Sequence, residues 1–130
     1  METDASEERA SGSRPMTLRF SEICIDAHDP HAQGAWWSRV LGWEHHVDKD
    51  GDVVLSAPPG AGPDWLFLQV PEDKTVKNRL HLDFTPDDQD AEVQRVISLG
   101  ATRVDIGQGE QSWVVLADPE GNEFCILSAT

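Results

Sequence analysis

The stretch DPHAQGAWWSRVLG (Asp29–Gly42) carries the signals of one complete amphipathic helix. Asp29 suits the N-cap and Pro30 the first helical position, while Gly42 suits the C-terminal cap. An apolar side runs along the predicted helix at a spacing of four residues, which indicates that the helix packs against a sheet. That side consists of Ala32, Trp36 and Val40, widened by Trp37 and Leu41.

Strand patterns surround this helix. Apolar and polar residues alternate before it, and three further short β-prone segments follow it before a charged connector. These predicted strands are FSEICID (residues 20–26), WEHHVD (43–48), DVVLSA (52–57) and WLFLQV (65–70). The first half of the chain therefore reads as a βαβββ unit.

The second half repeats this order. In its helix segment, DDQDAEVQRVISLG (residues 87–100), the glycine comes 13 positions after the first aspartate, as Gly42 comes 13 positions after Asp29. Its predicted strands are RLHLDF (79–84), TRVDIG (102–107), SWVVLAD (112–118) and EFCILS (123–128). Two units of about 55 residues indicate a duplication rather than a solenoid.

The totals limit the class of protein. A chain of 130 residues suits one domain, and we expect residues 1–16 to be a polar, disordered tail before a domain at residues 17–130. The net charge is −14, so nucleic acid and anionic membranes are unsuitable partners. No apolar run is long enough for a membrane span, and because the first 15 residues contain no apolar stretch we expect them not to be a secretory signal. With only Cys24 and Cys125, these features favour a cytoplasmic protein with reduced thiols.

Four segments of the chain resemble the vicinal oxygen chelate superfamily: DPHAQGAWWSRVLGW, VKNRLHLDF, SLGAT and LADPEGNEFCIL. This superfamily groups glyoxalase I, extradiol dioxygenases, methylmalonyl-CoA epimerase, fosfomycin-resistance transferases and bleomycin-binding proteins. The resemblance covers about residues 18–128 and is strongest to small glyoxalase-like domains. It implies an α+β fold of two βαβββ modules, residues 17–76 and 77–130, whose curled mixed sheet surrounds a shared cleft.

The resemblance also implies where a metal would bind, because the superfamily takes ligands from the first and last strand of each module. The strand patterns place Glu22, Gln69, His81 and Cys125 at these positions. Each can bind a divalent cation such as Zn, Ni, Mn, Fe or Co. However, Cys125 stands where the superfamily's metalloenzymes usually carry a glutamate. Losing that carboxylate removes a charge and the usual proton-abstracting base.

Each of these residues also has a plainer interpretation. His81 is either a ligand or a structural histidine that bonds Asp83 on the same strand face. Glu22 is either a ligand and general base or an exposed acid. Gln69 suits a polar cleft lining, and Cys125 a small buried hydrophobe.

Aromatic residues suggest what the cleft would take. Trp65 and Phe67 share a strand face with Gln69, and that face lines the cleft if Gln69 does. Such a pocket suits a flat or partly apolar small molecule.

Two functions remain open from the sequence. The first is a protein that sequesters or carries a small organic molecule in a Trp-lined cleft. The second is a divalent-metal-dependent lyase, isomerase or dioxygenase that uses Glu22 and His81. We also expect a homodimer, because the side of the first helix with Trp36, Trp37 and Leu41 carries more apolar area than one sheet covers.

Overall fold

The computed structural model describes residues 18–105 and 107–129. The tail predicted for residues 1–16 lies outside the described residues. Within the described ranges, no helix is long and apolar enough to cross a membrane.

The first module has the predicted βαβββ order. It comprises β1 (Glu22–Ala27), α1 (Pro30–Leu41), β2 (Glu44–Val47), β3 (Val53–Ser56) and β4 (Asp64–Gln69). The sheet order is β1-β4-β3-β2, with β1 parallel to β4 and the other pairs antiparallel.

The second module repeats the same topology. It comprises β5 (Leu82–Phe84), α2 (Gln89–Ser98), β6 (Thr102–Arg103), β7 (Val114–Ala117) and β8 (Glu123–Ile126). Its sheet order is β5-β8-β7-β6, again with one parallel pair, β5 and β8. The predicted α+β fold of two βαβββ modules with curled, open mixed sheets is confirmed.

Local side-chain bonds determine where the helices begin and end. The Asp29 carboxylate accepts a hydrogen bond from Ala32 N at 3.1 Å, and Asp88 accepts one from Ala91 N at 3.1 Å. These are N-caps, so α2 begins one residue after the position that its alignment with Asp87 suggests. Gly42 ends α1 with a positive φ of 72° while its N–H donates to Ser38 O at 2.8 Å.

One aromatic core joins the two modules, and Trp37 of α1 is at its centre. The Trp37 ring lies 5.1 Å from Trp65 of the first sheet and 5.7 and 4.9 Å from Phe84 and Phe124 of the second, centroid to centroid. Trp36 packs edge-on against Trp37 and donates its indole N–H to the carbonyl of Leu99.

Of the predicted apolar side of α1, Trp36 and Trp37 are buried inside the chain, Val40 and Leu41 are half-buried, and Ala32 is exposed. Trp36 and Trp37 are 3% and 2% exposed. The expectation that their excess apolar area forms a dimer surface is wrong, because the second sheet covers what the first leaves open.

The turn between β7 and β8 is fastened to α1 through the buried Asp118 carboxylate. Its Oδ2 accepts from the Gln33 amide at 2.6 Å and from the Trp37 indole at 3.0 Å. Its Oδ1 accepts from the backbone N–H groups of Glu120 and Asn122, each at 3.0 Å. Burial raises the pKa of Asp118, and these donors act against that increase.

We predict that Asp118→Asn lowers the free energy of unfolding by about 1–3 kcal/mol. The amide NH₂ group of the new side chain cannot accept hydrogen bonds, so donors that now bond to one of the carboxylate oxygens, such as Gln33 and Trp37, would lose their acceptor. Urea denaturation of the variant and the wild type measures the difference. Asp87→Asn, at an exposed aspartate of the β5–α2 segment, is the matched control and leaves stability unchanged. Equal stability of the Asp118 and Asp87 variants would contradict the role given to Asp118.

Candidate functional site

Strand register divides each sheet into a face that packs on the helices and a face turned away from them, here called the open face. Side chains alternate along a strand, and residues in register on neighbouring strands share a face. Trp65 and Phe67 belong to the core with α1, so Ile23 and Ile25, their partners in register, also point to the helix face. Glu22, Cys24 and Asp26 consequently lie on the open face.

The open face of the first sheet carries a central apolar row. Cys24 of β1 is in register with Leu66 of β4, which is in register with Val54 of β3. Leu66 and Val54 are half-buried, and Cys24 is exposed. Desolvation, followed by the charges of Glu22 and Asp26, raises the pKa of Cys24. The thiol is therefore a weakly polar lining group at neutral pH rather than a thiolate nucleophile.

The open face of the second sheet has the equivalent row of Asp83, Cys125 and Val115. Cys125 is 6% exposed and Val115 is 2% exposed, whereas Asp83 is exposed. Burial raises the pKa of Cys125, and the neighbouring Asp83 carboxylate raises it further by repulsion and a hydrogen bond. The thiol remains protonated, which agrees with its interpretation as a small buried hydrophobe.

The structure separates Gln69 from the residues with which the sequence grouped it. Glu22 is in register with Asp64 and Ala27 with Gln69, so Glu22 and Gln69 lie five steps apart on adjacent strands, roughly 16 Å. An odd number of steps also turns Gln69 to the opposite face. Its amide instead donates to His28 O at 2.6 Å. Gln69, which the sequence grouped with Glu22 as a candidate ligand, therefore does not share the face of Glu22.

The position on β4 that corresponds to Cys125 is occupied by Leu66. Glu22 and His81 hold equivalent positions in the two modules, so Cys24 and Asp83, each two residues later, are also equivalent. Cys24 is in register with Leu66, and Asp83 is in register with Cys125. Alternation within a strand gives no information on register. The sequence patterns therefore do not reveal that Leu66, rather than Gln69, is the counterpart of Cys125 on β4.

Trp65 and Phe67 face the core, not a solvent-reachable cleft. Trp65 is 4% and Phe67 0% exposed, and Trp65 contacts Trp37 and Trp43. The prediction that both line the cleft is corrected by their burial. The prediction assumed that Gln69 lines the cleft, and Trp65 and Phe67 share its strand face. That face is the one that packs on the helices.

Glu22 and His81 both lie at the first strand of a module. Glu22 is the first residue of β1, and its carboxylate accepts a hydrogen bond from the Ser21 hydroxyl. His81 lies one residue before β5 and is exposed, and its Nε2 lies 3.1 Å from Asn78 O. The expected bond between His81 and Asp83 is replaced by this contact with the connector. Their roles in binding stay predictions.

The predicted metal ligands do not form a site within the described chain. Gln69 lies on the opposite face from Glu22, the corresponding position on β4 is the apolar Leu66, and the Cys125 side chain is buried. A divalent ion needs several deprotonated or carbonyl ligands that converge on one point. A separate group of carboxylates, Asp48, Asp50 and Asp52, has ligand oxygens within 4.8 Å of one another in the β2–β3 turn. There, Asp48 already accepts from the N–H groups of Asp50 and Asp52.

The structure contains a groove at the carboxyl ends of β1 and β4 that the sequence patterns did not predict. It has a volume of about 520 Å³. Its lining combines Asp26 of the open face with Glu72, Asp73 and Lys74 of the connector. The run PEDK (residues 71–74) was the available signal, since it places two acids directly after the last strand of the first module.

Lys74 joins this connector to the second sheet. Its ammonium lies 2.9 Å from a carboxylate oxygen of the buried Glu123, whose other oxygen accepts from Asn78 N at 2.9 Å. Burial raises the pKa of Glu123, but the Lys74 and Asn78 bonds together outweigh it and lower the pKa. The pair therefore fixes the segment that leads into His81.

Comparison with known protein families finds one matching family model. The sequence model of the glyoxalase-like domain matches residues 22–127. No curated protein matches the chain.

Many solved structures resemble it. A glyoxalase/bleomycin resistance protein/dioxygenase family enzyme from Burkholderia phytofirmans PsJN is 21% identical, with 85% of this chain and 98% of that one covered at a TM-score of 0.66. TnmS3, an antibiotic binding protein from Streptomyces sp. CB03234, is 17% identical over 89% and 100% of the two chains, at a TM-score of 0.63. The fosfomycin resistance protein FosX from Listeria monocytogenes, complexed with Mn(II) and sulfate ion, is 15% identical over 88% and 93%, at a TM-score of 0.67. At these identities the likeness shows the fold.

We predict that Glu123→Gln reduces stability at neutral pH by about 1.5–3 kcal/mol, because the bonds to Glu123 are charge-assisted. A lowered folded-state pKa contributes stability above the unfolded value of about 4.3 and loses it as pH falls through the folded pKa. The difference in free energy of unfolding between the wild type and the variant should therefore disappear as the pH falls below the folded-state pKa of Glu123. Chemical denaturation across pH measures it, with exposed Glu110→Gln as control. A gap independent of pH would contradict the assignment.

Proposed function

The chain belongs to the glyoxalase-like domain family, and on this premise we propose that it binds a small organic molecule as a sequestration or carrier protein. The proposed site is the open face of the first sheet together with the 520 Å³ groove at its end. The observation that carries the proposal is the continuity of the two, since Asp26 belongs to both.

The open face supplies apolar contact for the ligand. Leu66 and Val54 are half-buried without a helix over them, and Leu68 continues the apolar surface beside Asp26, its partner in register. Such a surface suits the flat, partly apolar part of a small molecule. Trp65 and Phe67 point from β4 to the opposite face, into the core, and do not line this surface.

The groove supplies negative charge. Glu120, which also lines it, is engaged by the backbone N–H groups of His28 and Asp29 at 2.7 Å each, and Lys74 is engaged by Glu123. This leaves the carboxylates of Asp26 and Glu72 to meet a ligand, together with that of Asp73, whose Oδ1 lies 4.0 Å from His28 Nδ1 at an exposed position. A cationic or hydrogen-bond-donating group is the matching chemistry, in agreement with the net charge of −14.

The second sheet contributes Asp83 and Cys125 to this proposal, and His81 comes just before it. Asp83 is an exposed acid on the open face beside the Cys125 thiol, and His81 precedes it. In this proposal His81 and Glu22 border the ligand as polar side chains. The alternative, a metal-dependent lyase, isomerase or dioxygenase, needs Glu22 and His81 as ligands with further donors. The register supplies Leu66 where such a donor would stand.

A homodimer is part of this proposal. Four large apolar side chains are strongly exposed next to the first strands of the two modules: Leu18, Phe20, Val76 and Leu80, at 88%, 74%, 74% and 87%. Their burial in a second copy would remove apolar area that a monomer leaves in water. Light scattering at micromolar concentration is expected to give twice the chain mass, and a monomer alone would contradict this part.

We predict that a planar aromatic cation such as proflavine binds the protein and that binding weakens as salt is added. Neutralising the groove with Glu72→Gln and Asp73→Asn should raise Kd by about tenfold at low ionic strength, about 1.4 kcal/mol. Fluorescence titration measures both.

The control removes the same two charges elsewhere, with Asp90→Asn and Glu110→Gln on exposed positions. Equal Kd values for both double variants would refute the groove as the site. Loss of binding on chelation, together with one transition-metal ion per chain by elemental analysis, would favour the metal enzyme instead.

A further inference from the structure

A second pocket, which shares no lining residue with the groove, lies beside the helices. It has a volume of about 310 Å³ between the last turn of α1, the segment after β5 and helix α2. Its floor is formed by Phe124 and Ile126, which are 2% and 4% exposed and point to the helix face. Phe84 and Val96 form walls. None of these residues lies on the open face.

An ion pair closes one side of this pocket. Arg95 of α2 donates from Nη2 to the Val40 carbonyl at 2.8 Å and to Glu92 Oε1 at 2.8 Å, while its Nε contacts the same carboxylate. The Val40 carbonyl belongs to the last turn of α1, where helix carbonyls lack intrahelical partners. Arg95 therefore ties the two helices together across the pocket and holds its rim in place.

We propose that this pocket binds a neutral, one-ring aromatic molecule with a hydroxyl or carbonyl substituent. The volume suits that size, because a dry cavity of about 150 Å³ accommodates benzene and ligand pockets begin near 300 Å³. Phe84 and Phe124 offer ring edges and faces, since their centroids are 6.0 Å apart at an interplanar angle of 80°.

The rim determines the preferred charge and polarity. Glu92 and Arg95 neutralise each other, so an ionic ligand gains no net attraction while it loses hydration. The Arg95 guanidinium donates to Glu92 and Val40 from Nε and Nη2, so Nη1 can donate to an oxygen of the bound ring. This chemistry differs from that of the acidic groove, where a cation is the matching ligand.

Tryptophans lie directly behind the pocket floor. Trp37 is 4.9 Å and Trp36 6.2 Å from Phe124, centroid to centroid. A ring seated on Phe124 would therefore change the environment of the indoles, while cation binding at the groove would not.

The experiment uses 4-fluorophenol as the probe, observed by its fluorine NMR signal and by tryptophan fluorescence. We expect a Kd of about 1 mM, as befits a fragment of this size. Val40→Phe places a ring in the pocket and should weaken binding by about tenfold or more. Val47→Phe, the same exchange at an exposed strand position outside the pocket, should leave the Kd unchanged.

A second variant covers the case in which Val40→Phe lowers the melting temperature. Thr85 lines the mouth and is exposed, so Thr85→Phe narrows the entrance without entering the core, and it should also weaken binding. The groove variant with Glu72→Gln and Asp73→Asn should bind 4-fluorophenol as the wild type does, which separates this site from the proposed ligand site. No saturable binding by the wild type, or equal Kd values for Val40→Phe, Thr85→Phe and Val47→Phe, would overturn the proposal.

Discussion

The buried carboxylate of Asp118 is the interaction on which the arrangement of the two modules depends. It accepts from the side chains of Gln33 and Trp37 on α1 and from two backbone N–H groups of its own turn. A buried acid is costly unless donors surround it, so this cluster tolerates few alternative positions of the turn. The turn in question leads into β8, the central partner of β5 and β7. Fixing it on α1 therefore fixes the second sheet against the first module.

This attachment explains why the aromatic residues are where they are. With the second sheet held against α1, Phe84 and Phe124 reach Trp37, and a single core serves both modules. Apolar burial is not directional and does not by itself choose one packing of two sheets on a helix. The Asp118 bonds have fixed partners and directions, so they supply the specificity while the aromatic rings supply most of the buried area. The same packing consumes the aromatic residues that a cleft would otherwise have displayed.

The consequence for chemistry is a division between two environments. The open faces carry acids, two protonated thiols and aliphatic side chains, and that of the first sheet ends at a negatively charged groove. The helix side carries rings and an internally neutralised ion pair. Each environment selects a different class of small molecule, because desolvating a charge is tolerated only where an opposite charge remains unpaired. A shared superfamily fold does not dictate either choice, since such folds host both binding proteins and enzymes.

The sequence alone determined the βαβββ repeat, the caps at Asp29 and Gly42 and the existence of a first strand at Glu22, because these follow from local propensities and periodicity. It did not determine which residues of different strands stand side by side. Alternation with a period of two is the same for every register. From the sequence alone, Gln69 and Leu66 are therefore equally suitable as the residue of β4 that corresponds to Cys125, and only the register of β1 and β4 selects Leu66. It also could not tell which face of β4 meets the helix, and Trp65 and Phe67 were placed in the cleft for that reason. The groove at Asp26 and the pocket at Phe124 were decided by tertiary structure only. Both are formed by segments far apart in the chain, which the Asp118 bonds and the shared core bring together.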